Sequence, residues 1–183
     1  MHVSLHKRSK KIASGLTLIE MLVAVAILGI LSSIAVPNFS RQIQTNCQAE
    51  AASNLNVLAS YASTFKDIYG EAPEKWPELN SISAVMTTSG PANEKRFENE
   101  PYKGKQNLKN GITVANCDYV ISRSSERTGE EFIFNAVPTP NTGDNAAFNV
   151  VSCFDLSNGA NDLKRGSKDV KGAAKSSDLV CWE

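Results

Sequence analysis

The residues able to do acid–base or metal chemistry are few and unevenly placed. Both histidines, His2 and His6, lie in a short basic stretch at the N-terminus. None of the four cysteines forms a Cys-x-x-Cys pair. If the N-terminal stretch is removed, no histidine remains. This argues against histidine-based catalysis and against most zinc sites.

The net charge of zero hides an asymmetry. Residues 1–15 carry four basic side chains and no acidic one. Residues 16–183 keep 15 basic and 19 acidic side chains, so their formal charge is −4. A chain of that charge is a poor general nucleic-acid binder.

One carboxylate, Glu20, lies near the start of the longest apolar stretch in the chain. Residues 16–39 are apolar almost throughout and number 24. As a helix they would extend about 36 Å, enough to cross a hydrocarbon core of about 30 Å. Since the basic residues come first, the positive-inside rule places the N-terminus in the cytoplasm and residues 40–183 outside.

Two simple interpretations leave Glu20 unexplained. One is a secretory signal cleaved after Ser33-Ile34-Ala35, where Ser33 and Ala35 are the small residues that a cleavage site needs, and the other is a single-pass anchor. A carboxylate at the edge of a spanning helix is costly and is expected to have a cationic partner. Residues 16–39 contain no cation, so the partner must come from elsewhere.

The residues around Glu20 form a recognisable motif. The sequence Gly15-Leu16-Thr17-Leu18-Ile19-Glu20 follows the basic leader and precedes the apolar stretch. It resembles the class III signal of type IV pilins and of the pseudopilins of type II secretion. The family most often has Phe where this chain has Leu16.

The resemblance implies how the N-terminus is processed and used. A membrane prepilin peptidase would remove residues 1–15 by cutting between Gly15 and Leu16, and would methylate the new amino group of Leu16. Glu20 would then pair with the N-terminal ammonium of a neighbouring subunit. A close opposite charge is what stabilises a charge in an apolar medium, so this pair would fix the stagger between subunits.

The resemblance also divides the chain. Residues 16–39 would be a transmembrane and filament-core helix, and residues 40–183 an extracytoplasmic pilin head. Pro37 lacks an amide hydrogen and disfavours a regular helix. Gly29, eight residues before Pro37, lowers helix propensity. In related filaments the segment between such a glycine and such a proline loosens on packing, so residues 29–37 are expected to be the pliable part of the helix.

The pattern after Pro37 is amphipathic and predicts that one helix continues from about residue 17 to residue 69. Its apolar stripe consists of Ile43, Cys47, Ala51, Leu55, Leu58, Ala62, Phe65 and Tyr69. Its polar face consists of Arg41, Gln44, Gln48, Asn56 and Lys66.

The remaining residues predict a small antiparallel sheet. A short helix is expected over about 76–86, with residues 87–110 as a surface connection. Strands rich in Val, Ile, Phe and Tyr are expected at 112–114, 117–123, 131–137 and 147–154. The tail, 155–180, has turn composition. The predicted class is α+β, a long N-terminal helix packed on this sheet, as in the type IV pilin fold.

The cysteines lie outside the membrane in this topology, where disulfides are favoured. Four cysteines allow three pairings. A Cys153–Cys181 pair would resemble the C-terminal disulfide loop of many type IV pilins. That pairing would leave Cys47 to pair with Cys117. A buried free thiol at Cys47 is the alternative.

Two tail features have competing interpretations. Oxygen-bearing residues at 155–162 suit either turn chemistry or a calcium loop. The basic residues interleaved with acids suit a solvated filament surface, which we favour, or a nucleic-acid patch. The basic residues are Lys164, Arg165, Lys168, Lys171 and Lys175.

The sequence thus predicts a structural subunit rather than an enzyme, with no cofactor or metal. The expected partners are identical or related pilins, the prepilin peptidase, the pilus assembly machinery and the inner membrane before assembly. A major pilin is favoured. A minor pilin or a type II secretion pseudopilin is the alternative, and an envelope-anchored binding domain is the second alternative. Adhesion, motility, DNA uptake and secretion all remain open as roles.

Overall fold

A computed structural model describes residues 15–114, 117–127, 129–140, 143–168 and 172–182. The predicted leader, apart from Gly15, lies outside these residues, as does Lys171 of the tail. The chain divides into two compact units, Met1–Arg41 and Gln42–Glu183.

The first element is a single helix, α1 (Leu18–Tyr69), which contributes residues to both units. This confirms the predicted helix. The segment 29–37, expected to loosen on filament packing, is helical throughout in the single chain, Pro37 included. In the first unit every large apolar side chain from Leu16 to Phe39 is at least 51% exposed.

The second unit adds a short helix, α2 (Trp76–Ile82), and a small hairpin of β1 (Met86–Thr87) and β2 (Gly90–Pro91). The helix α2 ends before residue 86 because the amide Oδ1 of Asn80 accepts the Val85 N–H and turns the chain toward β1.

A five-stranded antiparallel sheet forms the rest of the second unit, with the strands in sequence order. The strands are β3 (Ile112–Thr113), β4 (Tyr119–Arg123), β5 (Glu131–Pro138), β6 (Val150–Asp155) and β7 (Asn161–Arg165). The four predicted strands correspond to β3 to β6, although residues 147–148 belong to a 3₁₀ turn instead.

The core lies between the sheet and the C-terminal part of α1. Leu55 and Ala62 belong to the same buried cluster as Phe132, Phe134 and Phe154. The rings of Phe132 and Phe154 stack with centroids 4.9 Å apart and 9° between planes. The predicted α+β class, with the helix stripe covered by one face of the sheet, is confirmed.

Three expectations were wrong in detail. The tail contains a strand, β7, that its polar composition concealed. The segment 87–110 is not only a surface connection, because it buries Phe97, Tyr102 and Leu108. On α1, Gln48 is buried although it was assigned to the polar face, and the stripe residues Ile43 and Tyr69 are exposed.

Candidate assembly site

The start of α1 is closed by a reciprocal pair of hydrogen bonds between Thr17 and Glu20. The backbone N–H and the hydroxyl of Thr17 both donate to Glu20 Oε2, each at 2.8 Å. The Glu20 N–H donates back to Thr17 Oγ1 at 3.3 Å. This is a capping box, in which the first helical N–H groups find side-chain partners. The spacing Thr-x-x-Glu is the sequence signal for this cap, although in the sequence both residues were interpreted only as part of the cleavage motif.

Gly15 and Leu16 precede the cap and are not helical. Leu16 is 75% exposed, and a Cβ added to Gly15 would have no neighbour within 4 Å. The fold therefore does not require glycine at this position. The peptide bond between the two residues is exposed and lies outside any helix or strand.

An apolar surface follows directly on α1. Among the described residues, one helix is long and apolar enough to cross a membrane, and its most apolar part is not buried at all. Glu20 and Pro37 lie on the part of this helix that belongs to the first unit. The four cysteines predicted to form disulfides lie in the second unit, and Cys47 is on the part of α1 that belongs to it.

Both predicted disulfides are present in the second unit. Cys47 on α1 is joined to Cys117 just before β4, with Cα atoms 5.4 Å apart. Cys153 on β6 is joined to Cys181, with Cα atoms 6.1 Å apart. The second bond draws the tail over the outer face of the sheet, where Ala174 and Leu179 pack on the buried surface of β5 and β6.

A buried polar network connects α1, the sheet and the tail. Gln48 Nε2 donates to the carbonyl oxygens of Asn149 and Gly166, at 3.1 and 2.7 Å. The Asn149 side chain donates to the carbonyl of Ala174 and accepts its N–H, both at 2.8 Å. Since buried carbonyls need donors, the amide at Gln48 belongs in the core. No sequence pattern signals this requirement, since it arises only when distant backbone segments meet.

The carboxylates at 155–162 are held by the chain itself. Asp155 Oδ1 accepts the N–H and hydroxyl of Ser157, and its Oδ2 accepts the Asn158 amide. The Ser157 hydrogen bonds lower the pKa of Asp155 despite partial desolvation. Within the described residues no group of three or more His, Cys, Asp or Glu is placed to hold a metal ion. Turn chemistry accounts for this loop.

Comparisons with known proteins agree with the N-terminal geometry. A family model described as the prokaryotic N-terminal methylation motif matches residues 10–36. The "Type IV major pilin protein PilA" of Myxococcus xanthus is 42% identical over 71 residues, covering 33% of this chain and 32% of that protein. The "Fimbrial protein EcpC" of Eikenella corrodens is 28% identical over 79 residues, covering 43% and 49%.

The chain thus spans between about a third and a half of the length of these curated relatives. No solved structure gives a significant match. The methylation motif coincides with the capped start of an exposed apolar helix, and the second unit has the α+β architecture expected of a pilin head. The N-terminal part of the chain is therefore similar to type IV pilins, over the methylation motif and over a third to a half of the length of these two relatives.

Proposed function

We propose that this protein is the major subunit of a type IV pilus and polymerises through the N-terminal part of α1. The observation that carries the proposal is the apolar surface of residues 16–39, which no part of the single chain's first unit covers. Contiguous apolar surface on this scale needs a lipid or protein environment. A membrane would provide it before assembly, and neighbouring helices would provide it in the filament.

The inner membrane is the proposed location before assembly, with the N-terminus in the cytoplasm. The basic residues before α1 support this orientation through the positive-inside rule. The two disulfides in the second unit fit an oxidising compartment on the other side. After extraction by the assembly machinery, the subunit would reside in an extracellular pilus.

Processing is proposed at the bond between Gly15 and Leu16. The exposed, non-helical backbone there suits a peptidase, which must bind its substrate outside a helix. A Cβ at Gly15 would have open space around it, so a requirement for glycine would come from the peptidase. Methylation would follow on the new amino group of Leu16.

Glu20 is proposed to set the register between subunits through its charge. Both hydrogen bonds from Thr17 end on Oε2, which leaves the lone pairs of Oε1 for an ammonium group. The N-terminal ammonium at Leu16 of a neighbouring subunit would be that group. In a filament core of low dielectric, an unpaired carboxylate is costly, so subunits would pack in the stagger that pairs it.

Intact mass spectrometry of filaments sheared from cells tests whether the protein is the major pilin. We expect an abundant species that begins at methylated Leu16 and contains no free thiol. A trace species with the same N-terminus would indicate a minor pilin. Processed chain confined to the inner membrane would indicate a pseudopilin. A chain that keeps its leader would overturn the proposal.

Three substitutions separate the charge of Glu20 from its capping role. Glu20→Gln keeps an acceptor for Thr17 but loses the charge, and Glu20→Ala loses both. Thr17→Val removes the hydroxyl and keeps the charge. We expect both Glu20 variants to reach the membrane and yield few filaments, while Thr17→Val assembles close to normally. If Glu20→Gln makes filaments at the wild-type level, the register argument fails.

A further inference from the structure

A small polar pocket lies in the second unit, and no residue of α1 belongs to its lining. Its volume is about 160 Å³, and it is lined by Glu74, Asn107, Lys109, Arg123, Arg127 and Gly129. The lining contains three cationic side chains and one carboxylate. The assembly mechanism proposed above does not use this pocket.

Arg123, the last residue of β4, is the unusual member of this lining. It is 8% exposed, and its guanidinium carbon lies 3.7 Å from the centroid of the Phe132 ring. Its Nη2 donates to the carbonyl oxygens of Gly129 and Glu131, each at 3.1 Å. Its Nε is buried and has no hydrogen-bond partner among the described residues.

The charge of Arg123 is only partly balanced. Burial lowers the pKa of its guanidinium, and the nearby charge of Glu74 opposes that shift. In the described part of the chain, no carboxylate oxygen is found within salt-bridge distance of Arg123; the carboxylate of Glu131 instead bonds Arg127, at 2.9 Å. Carbonyl dipoles and an aromatic face compensate a buried cation less well than an anion does.

We propose that this pocket binds a single oxyanion group, a carboxylate, sulfate or phosphate. The two hydrogens of Nη2 already serve the carbonyl oxygens of Gly129 and Glu131, so the Nε–H, which has no partner among the described residues, is the donor that Arg123 offers. A hydrogen bond from a charged donor of this kind to an anionic oxygen is stronger than one between neutral groups. Lys109 at the rim adds a flexible second charge. The volume of about 160 Å³ admits one such group with its attachment atom, as at the end of an acidic saccharide.

The test follows the arginine Nε–H resonances of the mature, ¹⁵N-labelled chain in detergent micelles. Sodium phosphate, sodium sulfate and sodium glucuronate are titrated separately, at an ionic strength held constant with sodium chloride. We expect one resonance, assigned by its loss in Arg123→Lys, to shift and saturate with a Kd of about 1 mM. Saturation with phosphate or sulfate indicates a tetrahedral group, and saturation with glucuronate alone indicates a sugar carboxylate.

Lys109 provides the variant that cannot disturb the core, since its side chain is exposed. Lys109→Gln should weaken binding about fivefold, because one of the pocket's charge-assisted contacts is lost. The matched control, Lys105→Gln, changes an exposed lysine outside the pocket and should leave the Kd unchanged. A shift that chloride reproduces, or that is linear without saturation, overturns the proposal, as does an unchanged Kd in Lys109→Gln.

Discussion

Leu28 and Leu55 lie on the same helix, yet 61% of the surface of Leu28 is exposed and none of that of Leu55. Around Leu28 the helix is apolar on all sides, whereas around Leu55 apolar residues form a stripe with polar residues opposite. A helix apolar on all sides suits a lipid or a protein core, and a helix with one apolar stripe suits a surface position on a domain.

Polar groups in the two regions also find their hydrogen-bond partners at different distances along the chain. At the start of α1, Glu20 and Thr17 satisfy each other locally. In the second unit, Gln48 serves carbonyls that lie about a hundred residues away in sequence. The first region is thus organised by short-range contacts and needs other molecules to cover it. The second is organised by long-range contacts and covers itself.

The strongest test of this comparison makes the same substitution in each region. Leu55→Ala removes a fully buried side chain and should lower the free energy of unfolding of the head by about 2–5 kcal/mol. Leu28→Ala should change it by less than about 0.5 kcal/mol and should instead reduce filament yield. Denaturant unfolding of detergent-solubilised chain, followed by tryptophan fluorescence, measures both. An equal loss in both variants would contradict the division into two regions.

A second test concerns the tail, which the C-terminal disulfide joins to the sheet. Replacing Cys153 and Cys181 together by Ser opens a loop of 28 residues. The loop-entropy estimate gives a loss of about 3–4 kcal/mol. Hydrogen exchange should show faster exchange at Leu179 and Val180, while the amides of residues 21–36 keep their rates. Uniformly faster exchange along the chain would show that the two regions are coupled.

Glycine offers the third contrast. A Cβ at Gly166 would collide with the Ala147 carbonyl oxygen and with Asn149 Oδ1, inside the network around Gln48. Gly166→Ala should therefore lower the stability of the head by about 1–3 kcal/mol, the usual cost of overpacking. The matched control is Gly29→Ala, which has open space around it and replaces a poor helix former. Thermal unfolding should show a loss for the first variant alone.

Sequence patterns predicted α1 and the strands β3 to β6 because each depends on local periodicity or composition. They missed β7, since Asn161 to Arg165 form a half-exposed edge strand in which every side chain except that of Leu163 is polar. They also missed the role of Gln48, because the carbonyls that it serves come from Asn149 and Gly166. The features that the sequence did not predict are those that arise only from contacts between residues far apart in the chain.

The smallest expected effect is a loss of stability at low pH. It isolates one contact of the tail, the one made by the carboxylate of Asp162. Burial opposes ionisation of Asp162, but hydrogen bonds from Lys164, Val180 and Leu163 outweigh it and lower the pKa of this carboxyl below its usual 3.8. The folded state therefore favours the ionised form. The resulting stability is present above about pH 4 and is lost as the pH falls through the lowered pKa.

Asp162→Asn should reduce the loss of stability on acidification from pH 5 to pH 2, at a cost near neutral pH of at most about 1 kcal/mol. Lys164→Gln should have a smaller effect, because the N–H bonds from Val180 and Leu163 remain. The local reporter is the exchange rate of the Val180 amide, which the Asp162 carboxylate accepts at 3.1 Å. If acid speeds that exchange equally in the wild type and in Asp162→Asn, this carboxylate does not hold the tail. The attachment of the tail would then rest on the disulfide, on its apolar contacts and on the hydrogen bonds between Asn149 and Ala174.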